Sequence, residues 1–193
     1  MLDAAEWDDL QRDIVHCTRC GLCQTRTKSV PGQGTCASGL MFVGEAPGGQ
    51  EDVQGEAFVG PAGKLLTELV HGIGLQREDV FITNIVKCRP PGNRNPHDVE
   101  IEKCLPYLRK QVRMLQPTVI CTLGNFAFKS LVQEDRSISN VRGQFFRKGA
   151  YTFFATYHPA FAIRNREFID VMKRDFALLG QKVRSLHGNH HHA

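Results

Sequence analysis

Short apolar runs alternate with amphipathic segments along most of this chain. Residues 40–43 form an apolar run that stops at Gly44, and residues 62–74 follow with leucine, valine and isoleucine at helical spacing. The same alternation recurs twice before residue 132. It predicts strands over residues 40–43, 80–86 and 118–123, and helices over residues 62–74, 98–115 and 125–131.

The order of these elements predicts a parallel sheet with helices on both faces, because a strand, a helix and a further strand make a parallel βαβ unit. Near the end of the chain, residues 144–147 and 151–156 have the pattern of two strands around the turn Lys148-Gly149-Ala150. Residues 167–186 form a final amphipathic helix. We therefore predict an α/β fold, a three-layer α/β/α sandwich around a central, mostly parallel four-stranded sheet.

Length and composition indicate one domain. The chain has 193 residues, of which 41% are hydrophobic and 23% charged, and this is enough for one sizeable core. We expect residues 1–193 to form a single domain with a cysteine-bearing amino-terminal arm over residues 1–39 and a disordered tail over residues 187–193. The histidines of the tail are assigned no function, because such tails are often disordered ends.

Charge and apolar pattern narrow the choice of partners. A net charge of +4 suits a polyanion without requiring one. No apolar run approaches the roughly 18 residues that span a bilayer, and the acidic residues 1–10 do not resemble a signal segment. We expect a cytoplasmic monomer with no membrane partner. In that reducing compartment, the seven cysteines are better interpreted as metal ligands or reactive thiols than as disulfides.

Four of the cysteines have the arrangement of a metal site. Cys17-Thr-Arg-Cys20 puts two thiols on one tight turn, while Cys88 follows a predicted strand and Cys104 lies in a predicted helix. Four thiolates suit either zinc or a 4Fe-4S cluster, and their spacing does not separate the two. Alternatively, Cys88 and Cys104 are ordinary buried residues.

The remaining cysteines are weaker candidates for a metal site. Cys121 lies inside an apolar run and is best explained as part of the core. Cys23 and Cys36 could each replace Cys20 as a ligand on geometry alone, and both rank below Cys17 and Cys20.

Three loops follow the predicted strands, and in parallel sheets the ligand crevice forms at the carboxyl ends of the strands. The loops cover residues 44–60, 87–96 and 157–166, combine glycine or proline with polar side chains, and are predicted to form one site. Residues 44–52 carry three carboxylates and too much glycine for a helix. This segment is either a site loop whose carboxylates orient water or accept a proton, or a solvated acidic loop.

Taken together, the loop sequences resemble one enzyme family. Gly44-Glu45-Ala46-Pro47-Gly48 is similar to the first motif of the family 4 uracil-DNA glycosylases, and His158-Pro159 is similar to the second. Residues 58–66, 82–91 and 157–159 fit the family pattern in the same order, and the resemblance covers roughly residues 14–180. It implies a DNA repair enzyme that flips uracil out of single- or double-stranded DNA and hydrolyses its N-glycosidic bond.

The resemblance also implies a cofactor, a 4Fe-4S cluster held by Cys17, Cys20, Cys88 and Cys104. The cluster is expected to be structural, because the reaction needs no redox step and the cluster would hold the arm against the rest of the chain. Cys23 stands close to the ligand pair, so the choice between Cys20 and Cys23 stays open.

For the base, the resemblance implies three contacts. Phe58 stacks on uracil, Asn84 binds the uracil edge with one acceptor and one donor, and the backbone amide of Ala46 contacts the base. Without the family match, Phe58 is equally well a core aromatic. For Asn84, the less favoured alternative is a turn residue.

The resemblance gives the bond-breaking roles to four side chains. His158 stabilises the departing uracil anion, Glu45 and Glu51 position water and stabilise the sugar, and Asn93 helps to hold the nucleophile. A lone histidine is otherwise more often a structural residue.

Phosphate contacts are expected from Arg94 and Arg164, because each flanks a proposed catalytic loop. Ala160 stands where many members of the family have serine, so a hydroxyl contact to the DNA backbone is expected to be missing. Two rival interpretations are a non-catalytic zinc-bearing DNA-binding or adaptor protein and a glycosylase for another damaged base.

Overall fold

A computed structural model describes residues 3–188, and its centre is one sheet. The five strands of this part of the chain are β1 (Leu40–Gly44), β2 (Phe81–Asn84), β3 (Val119–Leu123), β4 (Phe145–Lys148) and β5 (Tyr151–Thr156). They lie in the order β2-β1-β3-β5-β4. All neighbouring pairs are parallel except β4 with β5, which form an antiparallel hairpin.

The predicted α/β sandwich is confirmed, with five strands in the sheet rather than four. The difference arises because both strands of the hairpin join the sheet: residues 152–156 of β5 pair with the whole of β3, and β4 extends the edge. Antiparallel edge strands on otherwise parallel sheets are common, because a hairpin needs no crossover connection.

Helices cover both faces of the sheet. In chain order they are α1 (Ala4–Val15), α2 (Gly49–Gln54), α3 (Pro61–Gly72), α4 (Asp98–Leu115), α5 (Gly124–Val132), α6 (Ile138–Val141), α7 (Pro159–Arg164) and α8 (Glu167–Gly188). Within residues 3–188, none of these helices combines the length and apolar character needed to cross a bilayer.

Alternate side chains of the strands enter two separate cores, as the two-residue period of a strand requires. On one face, α3 and α8 pack on the sheet, and the rings of Phe42 and Phe176 stack with centroids 5.6 Å apart. On the other face, α1, α4 and α5 pack on residues such as Met41 and Phe81. Burial on both faces explains why the strands are continuous apolar runs.

Three local predictions were incomplete or wrong. Residues 49–54 form α2, although residues 44–52 were judged too glycine-rich for a helix, because buried Asp52 accepts a hydrogen bond from the amide of Thr27 and so secures the turn through a tertiary contact. The arm contains α1, capped by the Asp3 carboxylate. Helix α8 includes residues 187 and 188 of the expected tail, while residues 189–193 lie outside the described residues.

The parallel register brings four strand ends to one edge of the sheet. Gly44 of β1 pairs with Asn84 of β2, and Leu123 of β3 pairs with Thr156 of β5. The loops that follow these residues therefore meet at the same edge, as the sequence predicted.

A buried ion pair fixes the end of β5. The Asp175 side chain of α8 has no exposed surface, and its carboxylate accepts hydrogen bonds from Thr156 Oγ1 at 2.8 Å and from Arg142 Nε at 2.9 Å. A second guanidinium nitrogen of Arg142 also donates to Asp175. This arrangement ties α8 to the strand end that leads into His158.

We predict that Asp175→Ala lowers the free energy of unfolding by roughly 2–4 kcal/mol, because it leaves the Arg142 charge and the Thr156 hydroxyl without their partner. Urea unfolding measures the change. Asp170→Ala, on the same helix, is the control, since its ion pair with Lys173 is exposed and should contribute less than about 1 kcal/mol. Equal losses in the two variants would contradict this role for Asp175.

Candidate active site

A cleft of about 800 Å³ lies at the carboxyl edge of the sheet. It contains every non-cysteine site residue that the sequence analysis selected, and all three predicted loops contribute to it. These residues are Glu45, Ala46, Glu51, Phe58, Asn84, Asn93, Arg94, His158 and Arg164. The prediction that the three loops form one cleft is therefore confirmed, whereas the roles of the individual residues are not tested by their position.

At the bottom of the cleft, Asn84 presents an unsatisfied acceptor. Its side chain is 1% exposed, and its Oδ1 has no hydrogen-bond partner within residues 3–188. Leaving such an oxygen buried and unpaired costs about 1–3 kcal/mol, so its presence calls for an explanation. A ligand N–H that enters the cleft would remove this cost.

Gly44 makes room for the groups at the cleft bottom. A Cβ at this position would lie 2.5 Å from Asn84 Oδ1 and 2.7 Å from the Phe58 ring. Any larger residue would therefore displace one of the two side chains. Phe58 is 6% exposed and belongs to the core cluster as well as to the cleft. Its position therefore fits both interpretations from the sequence, a core aromatic and a residue that faces the ligand.

The ring of Phe58 stacks on His158 with centroids 5.5 Å apart and an interplanar angle of 27°. Inserting a flat base between two rings requires about 7 Å, twice the contact distance of carbon atoms. A base cannot be sandwiched between these two rings as they stand, so a base that stacks on Phe58 would have to use the face of the ring that His158 does not cover.

Glu51 holds the turn that carries Phe58. Its Oε1 accepts hydrogen bonds from the amides of Val59 at 3.0 Å and Gly60 at 2.9 Å. One carboxylate oxygen of Glu51 is therefore committed to the backbone. The side-chain carboxylate of Glu45, in contrast, makes no hydrogen bond or ion pair within the described part of the chain, and burial raises the pKa of this carboxyl.

His158 is fixed in one tautomer. It is the N-cap residue of α7, and its Nδ1 accepts a hydrogen bond from the amide of Ala160 at 3.1 Å. The proton of the neutral ring must therefore reside on Nε2. Burial, helped by the charge of Arg164, lowers the pKa of His158 to about 4, so the ring is neutral near pH 7.

Three further predicted residues lie at the cleft rim. Asn93 is exposed, and its Oδ1 accepts a hydrogen bond from Arg89 Nε at 2.8 Å. Arg94 binds both carboxylate oxygens of Glu100, at 2.9 and 2.7 Å, and its side chain remains 34% exposed. Arg164 is exposed at the end of α7.

The sequence analysis missed the wall of the cleft formed by the start of α5. Gly124 has φ +89°, and a Cβ there would lie 3.0 Å from His158 Cβ, so glycine lets the histidine approach. Asn125 and Lys129 line the same wall. The signal was available, because Leu123-Gly124-Asn125 ends the third parallel strand in the same way that Gly44 and Asn84 end the first two.

The four predicted metal ligands, Cys17, Cys20, Cys88 and Cys104, line one cavity between the arm, α4 and the segment after β2. Cys23 lines it as well, so the choice between Cys20 and Cys23 remains open. Of the other two cysteines, Cys36 does not line this cavity, and Cys121 is fully buried in β3.

Nitrogen donors surround these thiols. Arg26 Nη1 donates to Cys88 Sγ at 3.0 Å, and the amide of Lys87 donates to Cys104 Sγ at 3.2 Å. Such bonds favour thiolates and are typical of sulfur ligands to iron. Within residues 3–188, no three histidine, cysteine or acidic side chains are close enough together to hold a single metal ion.

Comparison with known proteins identifies related sequences. Residues 31–179 match the family model described as the uracil DNA glycosylase superfamily. A type-4 uracil-DNA glycosylase of Saccharolobus solfataricus is 44% identical over 187 residues, which cover 92% of this chain and 87% of the relative. Similar enzymes of Archaeoglobus fulgidus and Thermotoga maritima are also 44% identical, over 90% and 79% of this chain and 92% and 81% of their own lengths.

We predict that His158 makes the protein less stable in acid. Its folded-state pKa of about 4 lies below the ordinary value of 6.5, so the unfolded chain binds this proton more readily between these two pH values. The wild-type protein should therefore lose stability more steeply than His158→Gln as the pH falls from 6.5 to 4. Urea unfolding at several pH values measures both curves, and parallel curves would contradict the assigned pKa.

Proposed function

This chain belongs to the type-4 uracil-DNA glycosylases of the uracil DNA glycosylase superfamily, and we propose how the residues of its cleft carry out that reaction. The protein is a DNA repair glycosylase that acts on uracil in DNA, and so it is a hydrolase of N-glycosidic bonds. The rival interpretation, a non-catalytic zinc-bearing adaptor, is not favoured by these relatives.

Base recognition is assigned to Asn84, Phe58 and Ala46. Uracil must leave the base stack to reach the cleft, and its N3–H then meets the unpaired Oδ1 of Asn84, while the Asn84 amide nitrogen donates to O4. Phe58 provides an aromatic surface for the base, and the amide of Ala46 supplies a further contact. The buried, unsatisfied oxygen of Asn84 is the observation that carries this proposal.

The leaving group is stabilised by His158. As the glycosidic bond breaks, negative charge develops on the uracil ring, and a donor aimed at O2 stabilises it. The Ala160 amide holds Nδ1 as an acceptor, so Nε2–H is the available donor. A neutral imidazole with a pKa of about 4 donates this hydrogen bond throughout the physiological pH range.

Water activation is assigned to Glu45, with help from Asn93. The Glu45 carboxylate has no hydrogen-bond partner within residues 3–188 and can accept a hydrogen bond from the attacking water. Glu51 contributes negative charge near the developing oxocarbenium ion, but one of its oxygens already holds the Phe58 turn. Asn93 lies at the rim, where it helps to hold the nucleophile.

The DNA backbone is proposed to contact Arg164 and Arg94. Arg164 is exposed, while Arg94 is held in place by Glu100 and still exposes a third of its side chain. Exposed arginines of this kind bind DNA phosphates without recognising the base sequence. We further propose that the enzyme is a cytoplasmic monomer that accepts uracil in single- or double-stranded DNA.

We propose that Cys17, Cys20, Cys88 and Cys104 hold a 4Fe-4S cluster. When bound, such a cluster supplies a structural cross-link rather than a reactive centre. The shared cavity and the N–H donors to sulfur support this proposal. Cys88 begins the segment that carries Asn93 and Arg94, so holding the cysteine also holds one side of the cleft.

The reaction is tested with an oligonucleotide that contains one uracil. We predict that His158→Ala lowers the single-turnover excision rate by about 100- to 1,000-fold, the usual effect of removing one donor to a developing anion. Substrate binding should change much less. His71→Ala, at an exposed position on α3, should behave like the wild type. A wild-type protein that binds this DNA but releases no uracil would refute the proposal.

The cofactor is tested by iron and sulfide analysis together with the visible absorption of the purified protein. We predict that each of the substitutions Cys17→Ala, Cys20→Ala, Cys88→Ala and Cys104→Ala removes most of the iron and sulfide. Cys36→Ala should retain both, because Cys36 lies away from the cavity. Cys23→Ala distinguishes the ligand sets: loss of iron in this variant but not in Cys20→Ala would assign the ligand to Cys23. Stoichiometric zinc in a colourless wild-type protein would exclude the cluster.

A further inference from the structure

Phe58 has a backbone conformation that aromatic residues seldom adopt. Its φ is +52°, in the left-handed region, where the Cβ of a bulky residue is crowded by its own backbone. Such a conformation persists only where surrounding contacts hold it. The residue that provides the base-stacking surface is therefore also under local strain, and the structure must contain the groups that maintain it.

Arg77 supplies two of these contacts. Its Nη2 donates to the carbonyl of Ala57 at 2.6 Å and to the carbonyl of Phe58 at 3.0 Å. Its Nη1 donates to Thr67 Oγ1 at 2.9 Å, and this hydroxyl donates in turn to the carbonyl of Gly63 in α3. The guanidinium thus joins the Phe58 turn to a helix of the core.

The turn is held from the other side by Glu51, which accepts hydrogen bonds from the amides of Val59 and Gly60. A cation therefore binds the carbonyls at Phe58, and an anion binds the amides that follow it. Gly63 allows α3 to pass directly beneath, since a Cβ there would lie 1.6 Å from the Phe58 carbonyl oxygen. Both peptide groups that flank Phe58 are fixed in orientation.

We propose that Arg77 is a positioning residue for the base pocket: it holds Phe58 in the left-handed conformation that keeps the ring against Gly44 and His158. This inference rests on the proposed role of Phe58 in stacking on uracil. Arg77 itself does not line the cleft, and it acts through the backbone of the turn. Arg77 reaches the two carbonyls with Nη2 and the Thr67 hydroxyl with Nη1, whereas a lysine would have to serve all three acceptors from a single nitrogen.

Removing Arg77 lets Phe58 relax to a negative φ, which takes the ring out of position. We expect the dissociation constant for free uracil, measured as competitive inhibition of excision, to rise by about 3- to 10-fold in Arg77→Met, the range that corresponds to a lost aromatic contact. Arg77→Lys should recover part of the affinity. The single-turnover excision rate should be lowest in Arg77→Met and intermediate in Arg77→Lys.

The decisive comparison combines Arg77→Met with Phe58→Ala. If Arg77 acts through Phe58, the double variant should bind uracil no more weakly than Phe58→Ala alone. Val70→Ala, a buried change in α3 away from the turn, controls for a general loss of stability and should keep the wild-type affinity for uracil. Where Arg77→Met does not fold, Arg77→Lys and Arg77→Gln provide the same comparison.

The stacking role of Phe58 and the positioning role of Arg77 can be refuted separately. Unchanged uracil affinity in Phe58→Ala would refute the stacking role proposed for Phe58. Weakened affinity in Phe58→Ala with wild-type affinity in the Arg77 variants would refute the positioning role of Arg77 alone. Additive losses in the double variant would also refute it, because they would show that Arg77 acts independently of Phe58.

Discussion

The parallel pairing of β1 with β2 is the constraint on which the site depends. It sets Gly44 opposite Asn84, and the absence of a side chain at position 44 leaves space for the Asn84 amide and the Phe58 ring to meet. A shift of one residue in this register would turn Asn84 to the opposite face of the sheet. The positions of the groups at the bottom of the cleft therefore depend on the backbone pairing of β1 with β2.

The site contains groups that work against stability, and the structure compensates for them close by. Asn84 keeps an unpaired buried oxygen, and Phe58 has an unfavourable φ. On the other side of the cleft, the fully paired carboxylate of Asp175 secures the end of β5, from which His158 follows. Strain and unpaired polar atoms are thus placed where a substrate can use them, while the strand ends around them are rigid.

Much of the fold and most of the cleft could be predicted from the sequence, because both depend on periodic hydrophobic patterns and on the positions where strands end. Helix α4 has the predicted bounds. Many of the cleft residues directly follow strands that were predicted from their apolar runs. Helix α2 was not predicted, because the tertiary contact of Asp52 outweighs a poor local propensity. Arg77 could not be found this way, since bonds from an arginine to distant backbone carbonyls leave no pattern in the chain.

The cysteine cavity also has a consequence for the newly synthesised chain. It joins thiols that are far apart in sequence, since 87 positions separate Cys17 from Cys104. At translation rates of about 5–20 residues per second, the first thiols leave the ribosome roughly 4–17 s before the last one. Throughout that interval Cys17 and Cys20 have no α4 beside them, so both thiols are more exposed to oxidation in the growing chain than in the finished fold, where they are half-buried.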